Sequence, residues 1–377
     1  MKTKHILFLT SWYPTRNSPF AGDFVQRHAR AASALNQITV LHASRNDAQA
    51  AHYEILQNQD IIKEITVYYK GSFFKPFNYF KRLIALYKGL KLVGNYDLIH
   101  LNVTYPAGVF ALLLKFFKNK KYVITEHWTG FEKNKFKKIN LIEQFLIKLI
   151  LKNSEIILPV SNDLGKSMLE VAYGKKMEII PNVVNTEIFT PAKTTNSSPV
   201  KKFLHLSSLK DDQKNISGML NVAKRLANDG YPFEFHIGGN GDLTIVNRFI
   251  EKNQLHGIVI PVPSLPYEQV GNMMNQFDCF VLFSNYETQS CVRLESFSCG
   301  LPFIGTNIGG VNEFFPENFG ILVEKGNEDD LFDAMKSIIE TKKFAEKEEM
   351  HQYAVNNFSI ESISKKFNDI YEKVLRS

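Results

Sequence analysis

Two glutamates eight residues apart, Glu287 and Glu295, are the strongest candidates for a ligand-binding site in this chain of 377 residues. If the helix predicted after a strand begins near Ser290, Glu287 lies on the loop before it and Glu295 in its second turn. A helix N-terminus offers unpaired backbone N–H groups and a partial positive charge, which suit a phosphate. Carboxylates beside it accept hydrogen bonds from sugar hydroxyls. The segment predicts a phosphorylated polyol ligand, and two surface glutamates near a helix start are the alternative interpretation.

Around these residues, and along the whole chain, short apolar runs alternate with longer amphipathic segments. This alternation is typical of parallel sheets with crossover helices. It predicts strands at residues 6–10, 38–42, 97–102, 122–125, 156–160, 177–180, 203–207, 233–237, 258–262, 279–283, 303–305 and 320–323. It predicts helices at 23–34, after 108, after 161, and at 217–228, 243–253, 267–276, 289–299, 329–357 and 360–377. Two doubly wound sheets in tandem bind ligands at the carboxyl ends of their strands.

Composition bounds the class of protein. Hydrophobic residues are 44% and charged residues 22%, which excludes a disordered chain, a collagen-like repeat and a disulfide-bonded miniprotein. The apolar run at residues 6–9 is too short for a signal peptide, and no run approaches a membrane-spanning helix. The three cysteines, Cys279, Cys291 and Cys299, fit no metal or redox pattern, so we expect reduced thiols in a cytoplasm. No Asp-x-Asp triplet occurs, and no metal site is expected.

The charge is distributed unevenly along the chain. Residues 1–190 contain 26 Lys and Arg against 14 Asp and Glu, whereas residues 191–377 contain 19 against 24. Most of the basic excess lies in residues 63–91 and 115–138, where aromatic residues alternate with the lysines. Such stretches suit an anionic membrane surface or an anionic acceptor, and two solvated lysine-rich faces are the alternative. We expect no nucleic-acid binding, because no helix-turn-helix, zinc-finger or RNP-type signature occurs.

The motif around the two glutamates is similar to that of a known family. Glu287, seven residues, Glu295 and then Cys299-Gly300-Leu301-Pro302 are followed by Gly309-Gly310 and Glu313. This order closely resembles the donor-site signature of the retaining nucleotide-sugar glycosyltransferases of family 4. The resemblance implies the GT-B fold, in which two Rossmann-like doubly wound parallel-sheet domains face a central cleft.

Further motifs extend the resemblance along nearly the whole chain: Trp12-Tyr13-Pro14 with Gly22, Glu126-His127-Trp128, Pro181-Asn182-Val183-Val184-Asn185, and Gly239-Asn240-Gly241. Residues 191–199 have linker composition, so we predict a first domain over residues 1–190 and a second over 191–359. By the resemblance, residues 1–190 bind the acceptor and residues 191–359 the nucleotide sugar, and helix 360–377 crosses back to complete the first domain.

The resemblance also implies roles for individual residues. Glu295 is expected to hold the ribose hydroxyls of the donor and Glu287 the hydroxyls of its sugar. Lys214, Gly22 and the helix start at Ser290, Cys291 and Val292 would stabilise the pyrophosphate, beside the glycine turn at Gly239. His127, followed by Trp128, corresponds to the acceptor-domain histidine. The donor is a co-substrate, no other cofactor is expected, and the leaving phosphate would take the acceptor proton.

Several positions depart from the family pattern. Ser208 stands where the family carries a diphosphate-binding arginine, and Lys210 could replace it only as a point charge. Ser290 replaces a glycine, Val183 another glycine and Asn185 an aspartate. These departures bear on the choice of donor more than on the fold.

The sequence therefore predicts a retaining hexosyltransferase that acts on a glycan or lipid-linked acceptor in surface polysaccharide or glycolipid biosynthesis. We expect it in the cytoplasm, peripherally on the inner face of the membrane, with Lys75, Lys81, Arg82 and Lys88 contacting anionic lipid. A two-Rossmann nucleotide-sugar epimerase and a non-catalytic GT-B binding protein are the alternatives.

Overall fold

The structure, a computed structural model, describes residues 3–131, 133–192 and 200–376, without the side chains of Lys75, Lys133 and Asn134. It divides into two compact units, Met1–Val183 with Ile360–Ser377 (unit 1) and Val184–Ser359 (unit 2). The division lies seven residues before the predicted boundary, because the Val184 N–H donates to the Phe358 carbonyl at 3.0 Å and Phe189 packs in the core of unit 2. Most of the predicted linker, residues 193–199, lies outside the described residues.

The strands of unit 1 are β1 His5–Thr10, β2 Gln37–Arg45, β3 Tyr53–Gln59, β4 Lys63–Tyr69, β5 Leu98–Asn102, β6 Tyr122–Glu126 and β7 Ile157–Pro159. They form one mostly parallel sheet in the order β3-β4-β2-β1-β5-β6-β7. Only the pairing of β3 with β4 is antiparallel among the described strands. The central strands are buried on both faces, which explains their continuous apolar runs.

Helices cover both faces of this sheet. The helices before the division are α1 Asp23–Ser33, α2 Lys75–Leu90, α3 Gly108–Lys118, α4 Lys133–Phe136, α5 Leu141–Asn153 and α6 Asn162–Val171. The buried sides of α2, α3 and α5 pack into one apolar cluster, and those of α1 and the C-terminal helix Ile360–Arg376 into another. The predicted helix start after Ser161 is confirmed, since its hydroxyl accepts the Leu164 N–H.

Unit 2 is a second doubly wound sheet with strands β8 Lys201–Ser207, β9 Phe233–Gly239, β10 Val259–Val262, β11 Cys279–Leu282, β12 Phe303–Thr306 and β13 Gly320–Val323. These strands are parallel throughout and lie in the order β10-β9-β8-β11-β12-β13. Its helices are α7 Asp211–Lys214, α8 Ile216–Asn228, α9 Thr244–Asn253, α10 Tyr267–Met274, α11 Cys291–Ser298, α12 Glu328–Ile339 and α13 Lys347–Phe358.

Some predicted elements differ from the structure. The strand predicted at 177–180 is a single bridge between Met177 and Ile157. The helix predicted at 329–357 is interrupted between α12 and α13, where Thr341 adopts a left-handed φ of 73°. The β3–β4 hairpin and the helices α2 and α5 were not predicted at all. No helix in the described ranges combines the length and the apolar character needed to span a bilayer.

Candidate active site

Lys214 and Glu287 form a nearly buried ion pair at the carboxyl ends of β8 and β11. Lys214 Nζ lies 2.5 Å from Glu287 Oε1, and the two side chains are 14% and 9% exposed. The Ser284 hydroxyl donates to the same oxygen at 2.9 Å. The family resemblance assigned Lys214 and Glu287 to separate parts of the donor, whereas the structure shows that they bind each other.

The ion pair is held in place because its two loops are tied together. The Asn285 N–H donates to the Gln213 carbonyl at 2.7 Å, and the Asn285 amide donates to the Asp212 carbonyl at 3.1 Å. The Asp211 carboxylate accepts the Ser217 N–H and hydroxyl at 2.8 and 2.7 Å, which fixes the turn after α7. Both charged side chains are therefore presented from a crosslinked pair of loops.

The helix that follows Glu287 begins where the sequence predicted. Ser290 is the N-cap of α11, and its hydroxyl accepts the Arg293 N–H at 3.4 Å. Cys291 and Val292 are the first helical residues and are partly exposed. Glu295 follows in the second turn and is only 3% exposed. Two surface glutamates, the alternative interpretation, are therefore excluded by burial.

Arg293 lies in α11 between the two glutamates of the candidate site, but the sequence analysis did not assign it a role. It is fully buried, and burial lowers the pKa of its guanidinium to about 10. Its Nη1 donates to the carbonyls of Val311 and Glu313, at 2.6 Å for Glu313, while Nε and Nη2 meet no hydrogen-bond partner in the described part of the chain. An arginine between the apolar residues Val292 and Leu294 was the available signal. It ties α11 to the Gly309-Gly310 segment.

The glycine turn after β9 is explained by close backbone packing. A Cβ at Gly239, whose φ is 131°, would lie 2.0 Å from the Ser207 carbonyl oxygen, and a Cβ at Gly241 would lie 2.0 Å from that of Ser208. Only glycine permits this approach. Lys210 is exposed, and its carbonyl accepts the Lys214 N–H at 2.7 Å. Ser208 and Lys210 thus shape the backbone that presents Lys214.

In unit 1, Glu126 organises the carboxyl edge of the sheet. Its Oε2 accepts the N–H and hydroxyl of Thr104 at 2.8 and 2.6 Å. Its Oε1 accepts the N–H groups of His127 and Trp128 at 2.8 and 2.9 Å. Burial raises the pKa of this carboxyl, and the four hydrogen bonds oppose that rise. Glu126 therefore fixes the backbone that carries His127.

His127 lies in an apolar, aromatic environment. Its ring centroid is 4.4 Å from Phe24 and 5.1 Å from His28. Burial, together with the neighbouring His28 and His100, lowers its pKa well below the ordinary value, although a hydrogen bond with Asn182 opposes this. The imidazole is therefore neutral at physiological pH, and it can exchange hydrogen bonds without adding charge.

Two family models together cover nearly the whole chain. The model described as Glycosyltransferase Family 4 matches residues 21–188, and the one described as Glycosyl transferases group 1 matches residues 188–357. The chain belongs to the group 1 glycosyltransferases. Both predicted signatures, around His127 and between Glu287 and Glu313, lie inside the matched ranges.

Curated relatives of this glycosyltransferase are distant. It is 26% identical over 202 residues to a phosphatidylinositol N-acetylglucosaminyltransferase subunit of Arabidopsis thaliana, covering 53% of this chain and 45% of that one. It is 28% identical over 244 residues to a Campylobacter jejuni N-acetylgalactosamine-N,N'-diacetylbacillosaminyl-diphospho-undecaprenol 4-alpha-N-acetylgalactosaminyltransferase, covering 62% and 64%. The chain thus spans about half the length of the Arabidopsis relative.

Solved structures establish the fold. Sucrose-phosphate synthase from Thermosynechococcus elongatus has a TM-score of 0.79 at 17% identity over the full length of both chains. Anabaena HepE in complex with UDP has a TM-score of 0.75 at 14% identity, covering 98% of this chain and all of that one. The predicted GT-B fold is confirmed.

Gly22 and Trp128 of the glycosyltransferase both make close contacts within unit 1. Gly22, with a φ of 71°, precedes α1, and a Cβ there would lie 2.6 Å from the Trp12 carbonyl carbon. Trp128 is half-buried over Gly130, with its ring 5.7 Å from that of Phe131. Gly22 therefore sets the start of α1, and Trp128 lies against the protein.

The basic residues predicted to face a membrane mostly contact the glycosyltransferase itself. Lys81 Nζ donates to the Lys70 and Gly71 carbonyls at 2.9 and 3.1 Å, and Arg82 donates to the Tyr69 hydroxyl at 3.3 Å. Lys88 is exposed, with its Nζ 5.2 Å from the Tyr53 ring centroid. The Lys75 side chain lies outside the described residues. Lys81 and Arg82 are therefore bound within unit 1, whereas Lys88 extends to the surface.

The described residues contain no group of three histidine, cysteine or acidic side chains that could hold a metal ion. Cys279 and Cys299 are buried, and burial raises the pKa of both thiols. Cys291 is partly exposed at the start of α11. The chemistry available at this edge of unit 2 is therefore that of Lys214, the two glutamates and the helix N-terminus.

Proposed function

We propose that this glycosyltransferase moves a sugar from a nucleoside diphosphate sugar to a glycan or lipid-linked acceptor, with retention of the anomeric configuration. The observation that carries the proposal is the Lys214–Glu287 ion pair in front of α11, with buried Glu295 one turn further on. A cation, a helix N-terminus and carboxylates together match a phosphate attached to polyols.

In unit 2, the proposed chemistry is stabilisation of the leaving group. Negative charge develops on the departing phosphate, and preorganised donors around it lower the barrier. Lys214 has three N–H donors and uses one on Glu287, so it can bind a phosphate oxygen while still holding the glutamate. The N–H groups at the start of α11 supply further donors. Glu287 then faces the sugar hydroxyls and Glu295 the ribose.

In unit 1, neutral His127 is the proposed hydrogen-bonding residue of the acceptor side. Because its pKa is lowered, His127 is a weak general base. This agrees with the proposal that the leaving phosphate, rather than a histidine, takes the proton of the acceptor. No protein nucleophile is required in this scheme.

The names of the relatives support a lipid-linked acceptor. The Arabidopsis relative is named for transfer to phosphatidylinositol, and the Campylobacter relative for a diphospho-undecaprenol acceptor. We place the reaction in surface polysaccharide or glycolipid biosynthesis, at the anionic inner face of the cytoplasmic membrane. The basic excess of residues 1–190 is consistent with that location.

A screen with radiolabelled UDP-, GDP- and ADP-sugars tests the reaction. We expect slow hydrolysis of one donor, or transfer from it when a lipid-linked acceptor is added, and an NMR spectrum of the product that retains the anomeric configuration. Conversion of the donor sugar without an acceptor would indicate the epimerase alternative. Absence of any turnover, with nucleotide still bound, would indicate the non-catalytic alternative.

A further inference from the structure

The start of α2 exposes an unusual density of aromatic surface. Phe73, Phe74, Phe77 and Phe80 lie within eight residues, and each exposes more than half of its side chain, Phe73 completely. The opposite side of the same helix packs Ala85, Leu86 and Leu90 into the core. An exposed aromatic patch of this density marks an interaction surface, because single exposed apolar residues are ordinary but clusters are not.

A second apolar cluster lies at the start of α5. Leu141, Ile142 and Phe145 are 80%, 74% and 64% exposed, whereas Ile147, Ile150 and Leu151 of the same helix are fully buried. Asn140 caps this helix by accepting the Glu143 N–H at 2.9 Å, so the exposed residues lie on an ordered first turn. The helix therefore has two apolar regions, one packed in the core and one exposed at its first turn.

Tyr105 connects the two clusters. Its ring centroid lies 5.7 Å from that of Tyr79 on α2, and its hydroxyl donates to Glu143 of α5 at 3.4 Å. Both helices start at the carboxyl edge of the unit 1 sheet, since α2 follows β4 and α5 follows β6. The two clusters are thus neighbours on the edge that also carries His127.

The surroundings of the clusters are basic. Residues 65–96 contain six Lys and Arg and no Asp or Glu, and residues 133–142 contain four Lys and no acid. Lys137 and Lys138 are exposed immediately before Leu141, and Lys148 is exposed one turn after Phe145. The nearby acid, Glu143, is held by Tyr105. Apolar side chains with basic neighbours complement an anionic bilayer, which offers both hydrocarbon and negative headgroups.

We propose that residues 73–80 and 137–145 form one membrane-binding surface that inserts its phenylalanines, leucine and isoleucine between anionic lipid headgroups. A second copy of the chain fits less well, because a symmetric interface would bring the same lysines against each other. The proposal replaces the lysine set predicted from the sequence, in which Lys81 and Arg82 bind the protein. It rests on the proposed function for its purpose, since lipid-linked acceptors lie at bilayers.

Vesicle co-sedimentation tests the surface without any sugar transfer. With phosphatidylcholine vesicles containing about 30% phosphatidylglycerol at low salt, we expect Phe74→Ser/Phe77→Ser and Ile142→Ser/Phe145→Ser each to weaken binding by at least ~10-fold. Lys137→Glu/Lys138→Glu should weaken binding to anionic vesicles and leave the weaker binding to pure phosphatidylcholine unchanged. The matched control is Phe116→Ser/Phe117→Ser, two exposed phenylalanines at the far end of α3, which should bind as wild type.

Wild-type binding by both cluster variants, or an equal loss in the control, would overturn the proposal. Light scattering distinguishes the second-copy alternative: a dimer that the cluster variants dissociate, without vesicle binding by the wild type, would also overturn it. Donor hydrolysis by the cluster variants should equal that of the wild type. Failure of the proposed function would instead abolish hydrolysis in the wild type and leave vesicle binding intact.

Discussion

Each of the two sheets holds a carboxylate at its carboxyl edge, buried in unit 1 and nearly buried in unit 2, and the two carboxylates are stabilised in opposite ways. Glu126 of unit 1 accepts four hydrogen bonds from neutral N–H and hydroxyl groups, beside histidines whose pKa values burial lowers. Glu287 of unit 2 is held by the Lys214 ammonium. The groups that hold Glu126 are therefore neutral, whereas Glu287 lies beside a cation that can bind a second anion. This difference agrees with the proposed function, in which unit 1 binds the hydroxyl groups of the acceptor sugar and unit 2 the diphosphate of the donor.

Removal of either charge of the Lys214–Glu287 pair should affect activity most strongly. Lys214→Ala and Glu287→Gln should each lower turnover by ~10²-fold or more, because each removes a charged group from the site of developing phosphate charge or its partner. Steady-state transfer rates check this. The matched control is Lys201→Ala, which removes a lysine–carboxylate pair with Asp278 at the amino end of the same strand β8. Near-wild-type turnover in both site variants would remove Lys214 and Glu287 from the donor site.

Glu126→Gln tests whether the hydrogen bonds accepted by this carboxylate stabilise unit 1. The amide nitrogen would face N–H donors in place of an oxygen, which we expect to cost about 2–3 kcal/mol in the free energy of unfolding. Urea denaturation checks this, with Glu155→Gln as control because that carboxylate is part of a solvent-accessible pair with Lys115. An equally small effect at both positions would contradict the view that Glu126 organises this edge.

The buried histidines of unit 1 should make its stability sensitive to acid. Burial lowers the pKa of His28 to about 4, against 6.5 for an ordinary histidine, so its contribution to stability is complete above pH 6.5 and is lost as the pH falls towards 4. Between pH 7.5 and 5 this amounts to about 2 kcal/mol. His28→Gln should remove that dependence in urea titrations, whereas exposed His256→Gln should not. An unchanged pH slope in His28→Gln would show that folding does not lower the pKa of this histidine.

Sequence patterns located the central strands because burial on both faces produces continuous apolar runs, whereas the edge strand β3, which is mostly exposed, lacks such a run. The strand Gly320–Val323 and the cap at Ser290 were predicted to within a residue. The helices α2 and α5 were missed because their exposed phenylalanine, leucine and isoleucine residues hide the helical period. The Lys214–Glu287 contact joins residues 73 positions apart, which no local pattern reports. The contacts of Lys81 and Arg293 with backbone carbonyls likewise depend on the fold.

The smallest effect is expected at Glu295, which separates binding of the nucleotide from chemistry. Because its carboxylate is proposed to hold ribose hydroxyls, Glu295→Ala should weaken binding of the free nucleoside diphosphate by ~10-fold, the value of one or two hydrogen bonds to a charged acceptor. Calorimetric titration measures this affinity directly. Glu287→Gln provides the contrast, since the sugar is missing from the free nucleotide and its affinity should change little. Equal losses in the two variants would mean that Glu287 contacts the nucleotide, and unchanged affinity in Glu295→Ala would move the ribose contact to another residue.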